Sequence, residues 1–196
     1  MAAFDFDAAM RWARFAQRRT LARRKDADLP FIGSAEVAGE LLFDTCFYID
    51  AIQGRAPIAL RQVADRRPVN HSTIAVQELM HLVGALRPDH AGTAEITAQI
   101  RAVIKGMVAH RILMPDADVV GRAALLAGIL SRVQGYAADA RQRALNDCTL
   151  FLQAQKHGLT ILTANVADFD ILLQMIPAGR VSFYRRSDAS PTSSGS

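Results

Sequence analysis

At four places in the sequence an acid, or its amide, interrupts a pattern of apolar residues. They are Asp44 after an apolar run, Glu78 inside an amphipathic segment, Asp147 within a helical segment, and Asn165 with Asp168 after a β-rich run. Clustered carboxylates repel one another unless something neutralises them, and hard oxygen ligands with room for water suit Mg²⁺ or Mn²⁺. Such an ion activates water and stabilises the charge that develops on a phosphoryl oxygen. If the fold brings these side chains together, they predict metal-dependent hydrolysis or phosphoryl transfer.

The stretch from Leu41 to Asp50 predicts how the first acid is presented. Its apolar start ends at once in Asp44, and Thr45 leads into a second apolar run. Apolar positions on both sides predict a strand buried on both faces, as in a parallel sheet, followed by a helix. Ligands of open α/β folds bind beyond the carboxyl ends of the strands, which is where Asp44 falls. Asp50 has no comparable partner and is predicted to lie on the surface.

Strands and helices are predicted to alternate through the rest of the chain. Helices are expected over about 45–53, 56–63, 72–84, 90–109, 116–134, 137–157 and 171–175, and strands over 69–72, 111–115, 159–163 and 181–184. Ser72 or Thr73 and Asp116 are predicted helix caps, and Gly158 a helix stop. The alternation indicates an α/β fold, a three-layer α/β/α sandwich with a mainly parallel central sheet.

Residues 1–40 are predicted to form a basic helical extension and linker. Seven cationic residues fall close together in it: Arg11, Arg14, Arg18, Arg19, Arg23, Arg24 and Lys25. A helix is predicted to about residue 28, where Leu29-Pro30 breaks it. Two interpretations stay open: arginines on RNA phosphates with Trp12 and Phe15 stacked on bases, or, as we prefer, a helix docked on the core or on a dimer partner.

Composition sets the remaining bounds. The chain has 196 residues, 51% of them hydrophobic, enough for one domain over 41–186 with a polar tail at 187–196 whose composition predicts disorder. No apolar run is long enough for a membrane span, and Asp5 and Asp7 precede any basic residue, so a cytoplasmic protein with no membrane partner is predicted. Cys46 and Cys148 are expected to be reduced, small core residues.

The motifs together resemble the PIN-domain ribonucleases, specifically the VapC-like toxins of bacterial toxin–antitoxin pairs, over about residues 41 to 185. Four segments carry the resemblance through their order and spacing: Leu42–Cys46, Gln77–Leu79, Asn146–Leu150 and Leu162–Phe169. The family usually has serine where Cys46 stands, and many relatives have aspartate where Asn165 stands. An amide attracts a second cation less strongly, so we expect one tightly held ion rather than two.

The resemblance implies the roles of the site residues. Asp44 and Asp147 would be the principal metal ligands, Glu78 would complete the acidic cluster, and Asn165 or Asp168 would fill the fourth place. It also implies an Mg²⁺-dependent (or Mn²⁺-dependent) endoribonuclease that cleaves single-stranded or looped RNA, forms a homodimer, and is inhibited by an antitoxin whose tail fills the active-site groove. The alternative is a catalytically silent module that binds RNA or the antitoxin.

Each singled-out acid also has a simpler interpretation. Asp44 would only cap the next helix, Glu78 would be solvated, and Asp147 would pair with Arg143. Asp168 and Asp170 would open the last helix, which for Asp170 we prefer. Thr45 and Thr163 would either hydrogen-bond the adjacent acids or satisfy local backbone, and His81 is expected to be a packed or surface residue. A haloacid-dehalogenase-like phosphatase is disfavoured because Cys46 stands where that family needs a second aspartate.

Overall fold

The computed structural model of the protein describes residues 4–13, 18–32 and 39–187. The helices are α1 (Phe6–Ala13), α2 (Thr45–Ile52), α3 (Ile58–Arg66), α4 (Thr73–Ala85), α5 (Thr93–Gly106), α6 (Ala117–Gln134), α7 (Ala138–His157) and α8 (Val166–Met175). The strands are β1 (Leu41–Phe43), β2 (Val69–Ser72), β3 (Ile112–Leu113), β4 (Thr160–Thr163) and β5 (Val181–Phe183). No helix in the described ranges is long and apolar enough to cross a membrane.

The strands form a parallel sheet in the order β3-β2-β1-β4-β5. In the centre, Leu41 pairs with Val69 on one side and with Thr160 on the other. The chain therefore builds the sheet outward from β1 to β3 and then returns to place β4 on the other side of β1. Such a reversal opens a crevice at the carboxyl ends of the two central strands. The predicted mainly parallel sheet is confirmed.

Alternate side chains of the central strands supply two separate cores. Leu41, Phe43 and Leu162 face a core that includes residues of α2 to α5, whereas Leu42 and Ile161 face a core built with α6, α7 and α8. Strand side chains alternate between the two faces of a sheet, and strands buried on both faces require helices on both sides. The structure is thus the predicted three-layer α/β/α sandwich.

The ends of several helices follow from local sequence. The Ser72 hydroxyl accepts a hydrogen bond from the Ile74 amide, and the Asp116 carboxylate accepts one from the Val119 amide, so both predicted caps are confirmed. Helix α7 ends at Gly158, whose φ of 66° lies in the left-handed region that favours glycine. The last helix begins at Val166, earlier than predicted, because Asn165 caps it.

The N-terminal segment is less helical than predicted. The described helix ends at Ala13, residues 14–17 lie outside the described ranges, and residues 18–25 are not helical. Backbone carbonyls in this segment accept hydrogen bonds from Gln134 and Gln174 instead. Tertiary hydrogen bonds have overridden local helix propensity here. The alternative in which Trp12 and Phe15 stack on bases concerns side chains outside the described set, and the predicted tail beyond residue 187 also lies outside the described residues.

The N-terminal segment continues onto the far edge of the sheet. Phe31 forms a parallel bridge with Phe183, and the two rings lie 5.8 Å apart. The Ile32 amide donates to the Phe183 carbonyl at 2.8 Å, and Leu29 is buried in the core beside α6 to α8. This segment therefore packs directly against the sheet and its core rather than extending away from them.

Two predictions about single acids were wrong. Asp50 is not a surface residue: its side chain is fully buried and accepts hydrogen bonds from Arg55, Arg186 and Tyr184. Asp170 does not open the last helix but lies within it, fully buried. Its carboxylate accepts from both the backbone amide and the Nε of Arg24. Both acids have arginine partners distant in sequence, so the local pattern did not reveal them.

Candidate active site

The predicted acids follow the two central strands. Phe43 and Leu162 are paired in the sheet, and Asp44 and Asn165 come shortly after them at the same edge. Because β1 and β4 are parallel neighbours at the reversal of strand order, their carboxyl ends face one crevice. Helices α4 and α7 bring Glu78 and Asp147 to the same crevice, so the structure places all the predicted site residues around one cleft.

Asp44 is held by uncharged side chains from two strand ends. Its side chain is only 5% exposed, and Oδ2 accepts from the Thr163 hydroxyl at 2.6 Å and from the Cys46 thiol at 2.9 Å. Although Asp44 occupies the position before α2, its carboxylate does not cap that helix. Burial raises the pKa of Asp44, and Glu78 raises it further, against the lowering effect of the two hydrogen bonds.

Glu78 joins two further helices to the site. Its Oε2 accepts a short hydrogen bond from the Thr45 hydroxyl at the start of α2, and its Oε1 accepts from the Asn146 amide of α7 at 2.7 Å. These contacts fix a half-buried carboxylate at the cleft wall rather than leaving it solvated. Thr45 therefore donates a hydrogen bond to Glu78, while Thr163 donates one to Asp44.

Asn165 ties the other two acids together. Its amide nitrogen donates to Oδ2 of Asp147 at 3.2 Å and to Oδ2 of Asp168 at 3.0 Å, while its amide oxygen accepts from the Asp168 backbone at 3.3 Å as the cap of α8. The Tyr136 hydroxyl donates to Asp168 at 3.1 Å. In this arrangement the amide group of Asn165 acts as a donor between two carboxylates.

Asp147 has the electrostatic environment expected of a site carboxylate. Burial raises its pKa well above the usual value, and the negative charges of Asp44, Asp168 and Glu78 raise it further, whereas Arg143 lowers it. A carboxylate surrounded by other carboxylates is unfavourable as an anion unless a cation neutralises the group. Strongly perturbed acids in a cleft are candidates for a functional site.

The cleft has a volume of about 1140 Å³, and both the predicted acids and several arginines line it. The arginines are Arg23, Arg143 and Arg186. The cleft is also lined by Cys46, Gln77, His81 and Asn146, and His81 is exposed, which is one of the two predicted alternatives for it. Cys148 is buried in the core, whereas Cys46 contacts the site carboxylate.

The donor set fits a hard divalent cation in its chemistry. The buried Asp44 and the half-buried Asp147 offer oxygen ligands beside Glu78 and Asp168, and the mutual repulsion of these carboxylates calls for positive charge. As placed, no three His, Cys, Asp or Glu side chains in residues 4–13, 18–32 and 39–187 form a group that could hold a metal ion. Neutral donors, above all the Asn165 amide, instead hold the carboxylates.

Some site residues were not predicted from sequence. Cys46 contacts Asp44, and its position two residues after the acid, where the resembling family has serine, was the available signal. Asn146, which binds Glu78, lies beside Asp147 in the same motif. Arg186 carried no local signal, whereas Arg23 belongs to the basic segment noted in the sequence, whose position could not be predicted because the chain brings the two arginines to the cleft from opposite ends of the sequence.

The fold and the cleft define a PIN-like α/β architecture with an acidic site at the carboxyl edge of its sheet. No protein-family model matches the chain, and no curated protein matches it. Among solved structures, it is similar to VapBC from Salmonella typhimurium bound to DNA, with 18% identity and a TM-score of 0.52 over 74% of this chain and 97% of that one.

Two further structures show the same fold. VapBC2 from Rickettsia felis, bound to a promoter DNA fragment, has 15% identity and a TM-score of 0.50 over 75% of this chain and 98% of that one. FitAcB from Neisseria gonorrhoeae has 20% identity and a TM-score of 0.50 over 73% and 96%. At these identities the likeness concerns the fold. It confirms the PIN-like fold that the resemblance predicted.

Proposed function

We propose that the protein is a metal-dependent endoribonuclease that acts as the toxin of a toxin–antitoxin pair. The observation that carries the proposal is the convergence of Asp44, Glu78 and Asp147 on one cleft, where burial and mutual repulsion raise the pKa values of Asp44 and Asp147. Such a cluster is unfavourable for the apo protein and favourable for binding a divalent cation.

The residues of the proposed site have different roles. Asp44 and Asp147 would hold the cation, with Glu78 and Asp168 completing the negative charge around it. Thr163 and Cys46 orient the Asp44 carboxylate, and partners of this kind fix ligand geometry in metal sites. When bound, Mg²⁺ or Mn²⁺ would lower the pKa of water and stabilise charge on the phosphoryl oxygens of the RNA.

Partners form part of the same proposal. The similar structures are VapBC and FitAcB proteins, and the sequence motifs resemble VapC-like toxins, which supports an antitoxin as a binding partner. The RNA substrate and the homodimer rest on the motif resemblance. The open acidic cleft is also the surface on which an antitoxin tail would inhibit the enzyme.

The test is cleavage of total RNA by the purified protein with added Mn²⁺. Asp44→Asn and Asp147→Asn should each lower the rate by more than about a hundredfold, since changing even the partners of metal ligands costs up to that much. Asp89→Asn is the matched control, because this acid is exposed, paired with Arg87 and not among the residues that line the cleft. Full activity in both site variants would remove the assignment.

A catalytically silent binding module remains the second candidate. The orientation of Asn165 favours it, because the amide nitrogen of Asn165 faces Asp147 and Asp168 where many relatives are expected to have a third aspartate. In that case the protein would bind RNA or an antitoxin without binding Mn²⁺. Failure of the wild-type protein to bind Mn²⁺, together with intact RNA binding, would select this function.

A further inference from the structure

Arg186 lines the cleft, and the buried carboxylate of Asp50 holds its guanidinium in place. Its Nε lies 2.9 Å and 2.8 Å from the two carboxylate oxygens of Asp50, which is fully buried. Arg55 and the Tyr184 hydroxyl bind the same carboxylate. Because the described hydrogen bonds of Arg186 use only Nε, its terminal amino groups are available to a ligand, and its side chain is 49% exposed.

Arg23 reaches the same cleft from the N-terminal segment. It is paired with Asp26, and Asp26 also accepts from Arg185 at 2.7 Å. The Arg185 guanidinium lies 4.4 Å from the centre of the Phe31 ring. Asp26 thus links the segment that carries Arg23 to Arg185, while Arg23 and Arg186 both line the cleft; we call these two arginines the rim.

The charges that line the cleft differ in exposure. Asp44 is buried and Asp147 is half-buried, and their carboxylates suit a cation, whereas the Arg23 and Arg186 side chains are 43% and 49% exposed and suit an anion at the surface of the cleft. A polynucleotide meets both requirements, because one phosphate would face the cation while neighbouring phosphates contact the rim. Guanidinium groups bind phosphate oxygens through paired, charge-assisted hydrogen bonds. An acidic peptide would be repelled by the carboxylates of the cleft.

We propose that Arg23 and Arg186 form a phosphate-binding rim that positions the RNA backbone next to the cleaved bond. This inference rests on the proposed nuclease function and adds substrate-positioning residues to it. It also gives a role to the N-terminal segment, which contains Arg23. Arg23 lies in a segment that the motif resemblance does not cover.

The test measures RNA binding separately from cleavage. The probe is a fluorescein-labelled single-stranded RNA of mixed sequence, about 20 nucleotides long, followed by fluorescence anisotropy in EDTA so that it stays intact. Arg23→Gln and Arg186→Gln should each weaken binding several-fold. Each should also reduce the slope of log affinity against log salt by about 0.7, the value for one phosphate contact to a single strand. Arg87→Gln, an exposed arginine paired with Asp89, should change neither.

Two further measurements keep the test independent of folding and of the chemistry. Arg186→Lys retains the charge and should recover part of the affinity, and Arg23→Gln removes only an exposed ion pair, so that variant should fold normally. In Mn²⁺-dependent cleavage, the glutamine variants should raise KM more than they lower kcat, as expected for residues that position substrate.

The outcomes separate the rim from the nuclease. Wild-type affinity and salt slope in both glutamine variants would overturn the rim even if Asp44→Asn abolishes cleavage. Weakened binding in the glutamine variants, together with a wild-type protein that never cleaves RNA, would support the rim and contradict the proposed nuclease. Displacement of the RNA by a poly-glutamate peptide at equal charge concentration would also contradict the proposed phosphate-binding rim. The arginines would then bind carboxylates as well as phosphates.

Discussion

Asp44 and Asp50 begin and end a stretch that runs from the carboxyl end of β1 into α2, and both are buried. Asp50 is compensated by Arg55, Arg186 and the Tyr184 hydroxyl. Asp44 accepts its side-chain hydrogen bonds from a hydroxyl and a thiol, and it faces other carboxylates. Buried charge is tolerated when it is paired, and a poorly compensated acid in a cleft requires another explanation. Burial alone therefore does not distinguish the two, whereas the neighbouring charges do.

Removing the charge of Asp50 should destabilise the protein most. Asp50→Asn leaves Arg55 and Arg186 without their acceptor. Breaking a fully buried pair costs about 3 to 5 kcal/mol, but both arginines are partly exposed, so we expect about 2 kcal/mol. Urea unfolding measures this loss. Asp44→Asn, by contrast, should leave the free energy of unfolding unchanged or raise it in EDTA, and equal destabilisation by both variants would break the comparison.

Divalent cations should stabilise the wild-type protein and not the site variants. A ligand at a hundred times its Kd stabilises the folded state by about 2.7 kcal/mol when it does not bind the unfolded chain. Thermal unfolding with increasing Mg²⁺ should show this shift in the wild type and in Asp50→Asn, and should not show it in Asp147→Asn. An equal shift in Asp147→Asn would place the cation elsewhere.

The pH dependence of stability should differ between the wild type and Asp147→Asn. Burial and neighbouring carboxylates raise the pKa of Asp147 above the ordinary value of 3.8, so the folded state holds this proton more tightly than the unfolded chain. That contribution to stability is present at low pH and is lost as the pH rises through the raised pKa. In EDTA, the free energy of unfolding of the wild type minus that of Asp147→Asn should therefore fall with rising pH. A difference that stays flat or rises would contradict the environment described for Asp147.

The smallest effect is expected at Cys46. Cys46→Ser replaces the thiol donor to Asp44 with a hydroxyl, and a hydrogen bond of this kind contributes only about 1 kcal/mol, so the cleavage rate should change less than about fivefold. Cys46→Ala removes the donor and should lower the rate more than serine does. The two rates under the Mn²⁺ assay give the answer, and a serine variant slower than the alanine variant would argue against this role.

The acids of the cleft were predictable because each stands beside a local signal. Asp44 ends an apolar strand, and Asn165 follows another, so parallel pairing brings them to one edge. The positions of Glu78 and Asp147 on amphipathic helices carried less information, and their motif order supplied the rest. Local pattern and topology agree at these positions, which is why the mainly parallel three-layer fold could be predicted as well.

Long-range pairs could not be predicted from the same patterns. Asp170 pairs with Arg24 and Asp50 with Arg186, and in both cases nearly the whole domain separates the partners in sequence. The arginine-rich segment up to Arg24 suggested a long helix. Its backbone instead bonds to Asp170 and to glutamines of α6 and α8, contacts that exist only after the core has formed. Hydrophobic periodicity does not indicate which distant residue pairs with a buried acid, nor does it indicate that tertiary hydrogen bonds will replace a local helix.

The central claim is that the acids around Asp44 form a divalent cation site and that Asp50 does not belong to it. Isothermal titration of Mn²⁺ into the purified protein near neutral pH tests this most directly. We predict saturable binding of one equivalent in the wild type and in Asp50→Asn, and none in Asp44→Asn combined with Asp147→Asn. Absence of binding in the wild type, or equal binding in that double variant, would contradict the account.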